Sequence, residues 1–353
     1  MRNKSSQSNR TPAVLTSFFY ILITLQVASF YVMATRPFLN YSTYLSGQER
    51  NPFQRRILPT LILGPLLHSP LILTTFARLK GVFMPVERGA SFTLSLIAIS
   101  LAGFFTLKLY DAVSRYRTFR FLVYPMFLYV TLWSYVILVQ MNFFYPYDIL
   151  SLAFFTAGLY FIYTKQFWAL FVVILIGTFN RETTIFLVPI YLIDALMRPA
   201  GNVANPLLKR FLHAPWARIL TLFVTWAAVK LALHHAFALN DSTEDTLHIY
   251  DNAHFLLPKH WPSILNICGY LLPIVIIFQH KLTPRRFASY LLIFPLWFVV
   301  MYCKGIIQET RIYGELSGYT AVAVILLLEQ YVATLKPSSY EVQKSEAESL
   351  NFR

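Results

Sequence analysis

The chain has 353 residues, of which 56% are hydrophobic and only 13% are charged, and its formal net charge is +14. This composition excludes a water-soluble globular domain and indicates an integral membrane protein. The positive charge does not indicate nucleic-acid binding, because Lys and Arg are concentrated in short loops between apolar segments, as in positive-inside anchoring. Cys268 and Cys303 lie within apolar segments, so they indicate neither a disulfide framework nor a cysteine metal site.

Apolar segments of membrane-spanning length recur along the chain. A bilayer core of about 30 Å requires about 20 apolar residues per helix, and backbone polar groups there must be hydrogen-bonded within the protein. We therefore predict an all-α polytopic helical bundle with ten spans, or eleven if 167–197 forms two. The segments lie near 13–34, 57–77, 89–110, 120–140, 148–163, 167–197, 217–239, 261–279, 287–303 and 312–333.

The first apolar segment is predicted to be a retained anchor, because it exceeds 20 residues and no small-x-small cleavage pair precedes Arg36. One transmembrane domain, 13–333, is then expected between two cytoplasmic tails, 1–12 and 334–353. An outer loop is expected at 240–260, because it carries four acids and one lysine.

Basic residues in the remaining loops give the topology. Loops 198–218 and 280–286 are basic and are predicted to be cytoplasmic. In the N-terminal half, loop 36–56 carries four arginines. Either those arginines lie outside against the positive-inside bias, or one segment re-enters without crossing.

The stretch GTFNRETTIFLVP, residues 177–189, places Arg181 and Glu182 between two apolar runs. A charged residue at mid-membrane costs about 2.5–3.5 kcal/mol, and adjacent helical residues do not face each other, so each needs its own partner. Asn180 favours a helix end and a new helix start, with Glu182 in the first turn of that helix. The pattern predicts two half-helices meeting at a polar, water-reached break, or else a buried ion network that only fixes helix packing.

Three other polar stretches lie at the ends of predicted spans: QERNPFQRRILP (48–59), FFYPYDIL (143–150) and IIQETRIYGEL (306–316). Each has a structural alternative: Arg55 and Arg56 can anchor at the interface, Asp148 can cap a helix, and Arg311 can pair with Glu315 at i, i+4. Taken together, they couple arginines and carboxylates to positions where water meets lipid. They predict a site for a phosphate-bearing amphiphile.

The outer loop offers an alternative site. Glu244, His248 and Asp251 recur at helical spacing and could hold a divalent metal, although such loops are more often solvated. Asp241, Glu244 and Asp245 could also contact acceptor sugars. We predict no metal and no cofactor.

The motifs PFQRRILP, YPYD, NRET and ETR resemble those of a set of poorly characterised bacterial polytopic proteins, which in turn are similar to the GT-C membrane glycosyltransferases. The resemblance implies transfer of a sugar from a polyprenyl-phosphate carrier to an extracytoplasmic glycan or other acceptor, in cell-envelope assembly at the plasma (inner) membrane. The chain departs from the GT-C pattern, because the first outer loop has Glu49 as its only acid and no Asp-x-Asp motif is present.

The resemblance also implies residue roles. A carboxylate would take the acceptor proton, and arginines would bind the phosphate through bidentate, charge-assisted hydrogen bonds. The candidate bases are Glu182, Asp148 and Glu49. The candidate phosphate ligands are Arg181, Arg311, Arg55 and Arg56.

The sequence is also compatible with a second function. The chain could be a carrier or flippase for a lipid-linked or anionic substrate, with NRET as a broken-helix binding site and no bond-making chemistry. Carriers usually show internal pseudo-symmetry, whereas this sequence has one NRET-like break. That difference favours the enzyme.

Overall fold

The computed structural model describes residues 10–79, 86–137, 142–198, 207–243 and 246–335. These residues are mainly helical, as predicted, and the strands among them, β1 (Arg36–Pro37) and β2 (Phe143–Phe144), pair in parallel. Most of the two predicted tails lies outside the described residues. The α-helices are α1 Arg10–Ala34, α2 Tyr41–Leu45, α3 Leu58–His68, α4 Pro70–Arg78, α5 Val86–Val113, α6 Arg120–Leu132, α7 Asp148–Tyr163, α8 Phe167–Asn180, α9 Leu187–Met197, α10 Leu207–Leu212, α11 Trp216–Ala236, α12 Ile249–Phe255, α13 Trp261–Leu265, α14 Leu271–Ile277, α15 Arg285–Ala288, α16 Phe294–Lys304 and α17 Ser317–Leu335.

Helices of other types continue or separate these elements. A π-helical turn extends α6, and 3-10 helices occur at the α8–α9 junction, around α13 to α16 and before α17. Their bounds are Trp133–Ile137 (π) and Glu182–Phe186, Pro258–His260, Gln279–Lys281, Ser289–Ile293 and Thr310–Leu316 (3-10).

Six helices in the described ranges are long and apolar enough to cross a membrane, or seven if the bent pair α3–α4 is counted as one span. This is fewer than the ten or eleven spans predicted. The predicted segments are helical, but α7, α8 and α9 have only 16, 14 and 11 residues. Segment 261–279 is interrupted between α13 and α14, where Cys268, Gly269 and Tyr270 have φ angles of 54°, 65° and 65°.

Hydrogen bonds between loops define one end of the bundle, termed the upper end. The side-chain amide of Asn51 donates to the backbone oxygen of Phe237 at 2.9 Å, and that of Asn240 donates to the backbone oxygen of Glu49 at 2.7 Å. The arginine-rich loop 36–56 therefore packs on the residues that follow α11. Since that region begins the predicted outer loop, the arginines lie on the same side as its acidic residues.

The α3–α4 pair starts from the upper end and returns to it. The two helices are bent by 72°. The Tyr41 hydroxyl in α2 lies 2.6 Å from Ser91 Oγ in the second turn of α5, and Phe76 of α4 packs so closely on Gly89 that a Cβ there would lie 2.4 Å from its ring. The start of α5 is thus beside the loop that precedes α3. This geometry is that of a re-entrant pair.

Buried carboxylates tie helices together at the opposite, lower end. Glu329 in α17 accepts a hydrogen bond from Ser114 Oγ at 2.8 Å and another from the Tyr110 hydroxyl of α5. Asp194 in α9, which is fully buried, pairs with Arg286 at 2.6 Å and with Arg198 at 2.7 Å. Each of these two carboxylates has its own cation or hydroxyl partners from other elements, so both stabilise the packing of the helices at this end.

The predicted break at Asn180 is observed, but its geometry differs from the prediction. Helix α8 ends at Asn180, and Arg181 is extended, with φ −162° and ψ 138°. The rings of Phe167, at the start of α8, and Tyr191, in α9, lie 6.3 Å apart. The two helices are therefore antiparallel legs of a hairpin, and Arg181 and Glu182 form its tip rather than a break within one span.

The tip lies at the upper end, beside the start of α7. The fourteen residues of α8 extend about 21 Å at 1.5 Å per residue. The Asn180 side-chain amide donates to the backbone oxygen of Tyr147 at 2.9 Å and to Ser151 Oγ at 2.8 Å. Asn180 therefore joins the tip to the start of α7 instead of capping the next helix.

This arrangement predicts which loops lie on the same side of the membrane. In a background without Cys268 and Cys303, we expect Ser46→Cys, Glu87→Cys and Thr243→Cys to react with an impermeant maleimide from the same side of the membrane. These three positions are exposed and lie at the upper end.

Arg115→Cys is the control, because Arg115 is exposed in the lower-end loop between α5 and α6 and should react only from the opposite side. Labelling of Glu87→Cys together with Arg115→Cys would contradict the re-entrant arrangement of α3–α4.

Candidate functional site

A cavity of about 820 Å³ lies at the upper end. Its lining comes from loop 36–56, Tyr145 before α7, the α8–α9 tip, α11, Thr246 and His248 of the outer loop, and α16 with the segment that follows it up to Ile312. Six cations line it: Arg55, Arg56, Arg181, Arg311, Lys230 and Lys304. The carboxylates in this lining are Glu182 and Glu309, so these side chains carry a formal charge of +4 (six positive, two negative).

Apolar side chains line another part of the cavity. They come from the 3-10 helix Glu182–Phe186, from the first turn of α9, from α11 and from α16. The residues are Ile185, Phe186, Pro189, Leu233, Leu296, Val300 and Met301. The cavity therefore combines a basic end with an apolar wall.

Asp148 is the centre of a buried ion network beside the cavity. It is the first residue of α7, and it is fully buried. Its carboxylate accepts from Arg181 Nη1 at 3.1 Å and from Arg311 Nη1 at 3.3 Å. Asp148 thus links the hairpin tip to the segment before α17.

Glu315 is the second carboxylate of this network. Its Oε1 lies 3.3 Å from Arg181 Nη1 and accepts from Thr183 Oγ1 at 2.6 Å. The predicted alternative, a pair between Arg311 and Glu315, is wrong. Residues 310–316 form a 3-10 helix with three residues per turn, so positions i and i+4 do not share a face.

Arg311 instead pairs with Glu309. Its Nη2 lies 2.5 Å from Glu309 Oε2, and its guanidinium lies 4.1 Å from the centre of the Tyr145 ring. Burial raises the pKa of the Glu309 carboxyl, and the charge of Arg311 acts in the opposite direction. Glu309 is therefore a partly buried acid at the cavity wall.

Glu182 and Arg56 form the contact between the hairpin tip and the first loop. Two hydrogen bonds join them, Nη2 to Oε1 at 2.9 Å and Nε to Oε2 at 3.4 Å. The Arg56 guanidinium also lies 4.5 Å from the Tyr147 ring centre. The Glu182 side chain is 39% exposed, against 15% for Glu309 and 0% for Asp148. Among these three carboxylates, Glu182 is the one that a molecule in the cavity reaches most easily.

The structure brings together most of the predicted site residues. Glu182, Arg181, Arg311, Arg55 and Arg56 line the cavity, and Asp148 lies directly behind two of these arginines.

Glu49 is elsewhere. Its carboxylate accepts from Thr43 Oγ1 at 2.8 Å and from the Asn40 backbone N–H at 3.3 Å. These bonds hold loop 40–50 together, and Glu49 is not part of the cavity wall.

Sequence reasoning did not select Glu309, Lys230, Lys304, Trp226 or His234, which also line the cavity. Glu309 belongs to the ETR motif but was not singled out within it. Lys230 could have been selected from the sequence, because it is a charged residue inside the apolar segment 217–239. Ionisable residues within spans often mark functional sites.

The outer loop shows no metal centre in the part of the chain that the structure describes. His248 Nδ1 lies 3.1 Å from Asp251 Oδ2, but no group of three His, Cys, Asp or Glu side chains gathers among these residues. Glu244 and Asp245 lie outside the described residues. Asp241 is exposed and interacts with Thr243 of its own loop.

Comparison with protein-family models, curated proteins and solved structures finds no match to this chain. The fold and the cavity therefore define its class by themselves. It is a multi-pass helical membrane protein with a large cavity, basic at one end and apolar along its wall, at one end of the bundle.

Proposed function

We propose that the chain is a GT-C-like glycosyltransferase of the plasma (inner) membrane, which moves a sugar from a polyprenyl-phosphate carrier to an extracytoplasmic acceptor. The observation that carries this proposal is the meeting of four arginines and Glu182 at one cavity that also has an apolar wall. Those residues come from three distant parts of the sequence, 55–56, 181–182 and 311.

The ligand class follows from the two halves of the cavity. Arginine presents a planar fork of donors that matches phosphate oxygens. Apolar walls accept a hydrocarbon chain and exclude water, while a few polar groups fix its orientation. A molecule with a phosphate at one end and a long apolar chain at the other satisfies both requirements.

The proposed reaction is displacement at the anomeric carbon of the carried sugar. The acceptor hydroxyl oxygen forms a bond to that carbon, and the bond from the carbon to the phosphate oxygen breaks, with its electron pair leaving on the lipid phosphate. Glu182 takes the acceptor proton, as general bases do. Arg55, Arg56, Arg181 and Arg311 stabilise the negative charge that the phosphate gains.

Asp148 has a different role in this scheme. It is enclosed and hydrogen-bonded to Arg181 and Arg311, so it positions these guanidiniums and does not meet the acceptor. Glu49 has no part in the reaction, because its carboxylate is bound within its own loop.

The carrier hypothesis depended on a polar break inside one span. In the structure, Arg181 and Glu182 lie at the tip of the α8–α9 hairpin and not at a break within one span, so the carrier hypothesis loses this support. The enzyme hypothesis needs only a base and phosphate ligands beside one cavity, and it retains both.

The proposal is tested with purified protein in lipid nanodiscs and polyprenyl-phosphate sugars that carry a radiolabel in the sugar. We expect release of polyprenyl phosphate and appearance of the label in an acceptor from a panel of lipid and oligosaccharide acceptors. Movement of intact lipid-linked sugar across proteoliposomes, with no cleavage of the sugar–phosphate bond, would instead identify a carrier.

A further inference from the structure

Three of the arginines that line the cavity are paired with carboxylates. Arg56 is bound to Glu182, and Arg181 and Arg311 share Asp148. A guanidinium that is neutralised in this way still donates hydrogen bonds, but it contributes less net charge to the binding of an anion. A cation of the cavity wall that lacks a carboxylate partner would contribute more net charge to the binding of an anion.

Lys230 has that property. It is exposed, lines the cavity and belongs to a membrane-spanning helix, α11. Its Nζ lies 5.0 Å from the Trp226 ring centre, and no carboxylate of the described residues lies within 4.0 Å of it. A charge within a span is costly unless it has a partner or a function.

Lys230 belongs to a stripe of cavity-lining residues. Trp226, Lys230 and His234 recur every four residues on α11, so they share one face of that helix. On α16, Leu296, Val300 and Lys304 have the same spacing and also line the cavity. Two helices thus contribute matching stripes, apolar or aromatic at one end and basic towards the other.

The surface between these stripes continues onto exposed apolar side chains of two helices that are long and apolar enough to cross a membrane. Leu296 lines the cavity and is 48% exposed, and Val299, one turn further along α16, is 57% exposed. On α11, Phe223 is 47% exposed and packs beside Trp226, with ring centres 6.0 Å apart. An apolar chain in the cavity can leave it here without meeting water.

We infer that Lys230 binds the anionic group of a lipid phosphate, whose hydrocarbon chain leaves the cavity between α11 and α16. The inference rests on the proposed function and names the residue and the route by which its lipid substrate is held. The phosphate would lie between Lys230 and the arginine end of the cavity, and the sugar beyond it, towards Glu182.

The test measures binding of polyprenyl phosphate, which carries no sugar, to the purified protein in nanodiscs. Loss of one charge-assisted contact is expected to weaken binding by about 10- to 100-fold in Lys230→Met. Lys230→Arg, which keeps the charge, should retain binding, and an unchanged thermal unfolding midpoint of Lys230→Met in detergent shows that its loss of binding is not a failure to fold.

Lys108→Met is the matched control. Lys108 is also exposed, also lies in a membrane-spanning helix, and has its Nζ 5.5 Å from the ring of the aromatic residue four positions earlier, Phe104. It does not line the cavity. Its replacement should leave the dissociation constant unchanged, whereas equal binding by Lys230→Met and wild type would overturn the inference.

Two further ligands separate the phosphate from the chain. The polyprenyl alcohol, which lacks phosphate, should bind weakly to wild type and equally weakly to Lys230→Met. Inorganic phosphate should compete only at far higher concentration than the lipid, and competition at the same concentration would point to a soluble anion and overturn the lipid assignment.

The outcome also separates this inference from the proposed function. Lys230-dependent binding by a protein that transfers no sugar would remove the function and keep the lipid-phosphate site. Full transfer by Lys230→Met at low lipid concentration would overturn the lipid-phosphate site at Lys230 and leave the proposed function in place.

Discussion

Glu182→Gln is expected to lower the rate of sugar transfer by about 10²- to 10⁴-fold, the usual contribution of a general base. Glutamine has nearly the same shape and still accepts a hydrogen bond from Arg56, but it cannot take up a proton. Because the side chain is 39% exposed, the change should have little effect on folding. Single-turnover transfer is the measurement, with binding of polyprenyl phosphate determined in parallel.

Binding should be retained in Glu182→Gln, so that the loss lies in the chemical step. The matched control is Asp111→Asn at the lower end, where the carboxylate pairs with the half-exposed Arg120 and is far from the cavity in the fold. If Glu182→Gln and Asp111→Asn transfer sugar at the same rate, Glu182 is not the base.

Arg181→Met is expected to lower the free energy of unfolding by about 3 to 5 kcal/mol, the range for removing one partner of a buried ion pair. Arg181 Nη1 contacts both Asp148 and Glu315, and these two carboxylate side chains are only 0% and 1% exposed. Asp148 keeps Arg311, but Glu315 keeps only the Thr183 hydroxyl. The cost arises from the buried negative charge that is left without a cation.

The size of this effect is measured by denaturant or thermal unfolding in detergent. The double variant Arg181→Met with Glu315→Gln should recover part of the loss, since glutamine accepts the Thr183 hydrogen bond without a charge. The matched control, Arg120→Met, should cost no more than about 1 kcal/mol, because its pair with Asp111 is partly exposed. A double variant less stable than Arg181→Met would contradict the stranded-charge explanation.

Local features of the chain were predictable because they depend on composition over short windows. Apolar runs indicated an all-α membrane bundle, and the polar tetrad around Arg181 indicated that the run 167–197 must be interrupted at Asn180. Span count was less accurate. A short helix, a bent pair and a long crossing helix have similar apolar content, and only their packing distinguishes them.

The pairing of charges was not predictable from spacing. Arg311 and Glu315 are four residues apart, which suggests a pair in an α-helix, but the segment forms a 3-10 helix and their partners are Glu309, Asp148 and Arg181. Glu49 was a reasonable candidate by its position in the first loop. The local turn directs its carboxylate to Thr43 and Asn40 instead.

The sequence by itself determined that this protein is a helical membrane protein, since apolar composition and helix length depend on neighbouring residues. It also determined which arginines and carboxylates interrupt the apolar segments. Only the tertiary structure decided that Asp148 meets Arg311, which is 163 positions away, and that Lys230 faces the same cavity. Contacts between residues so far apart in the sequence depend on how the helices pack, and this packing depends on residues throughout the chain rather than on any short segment.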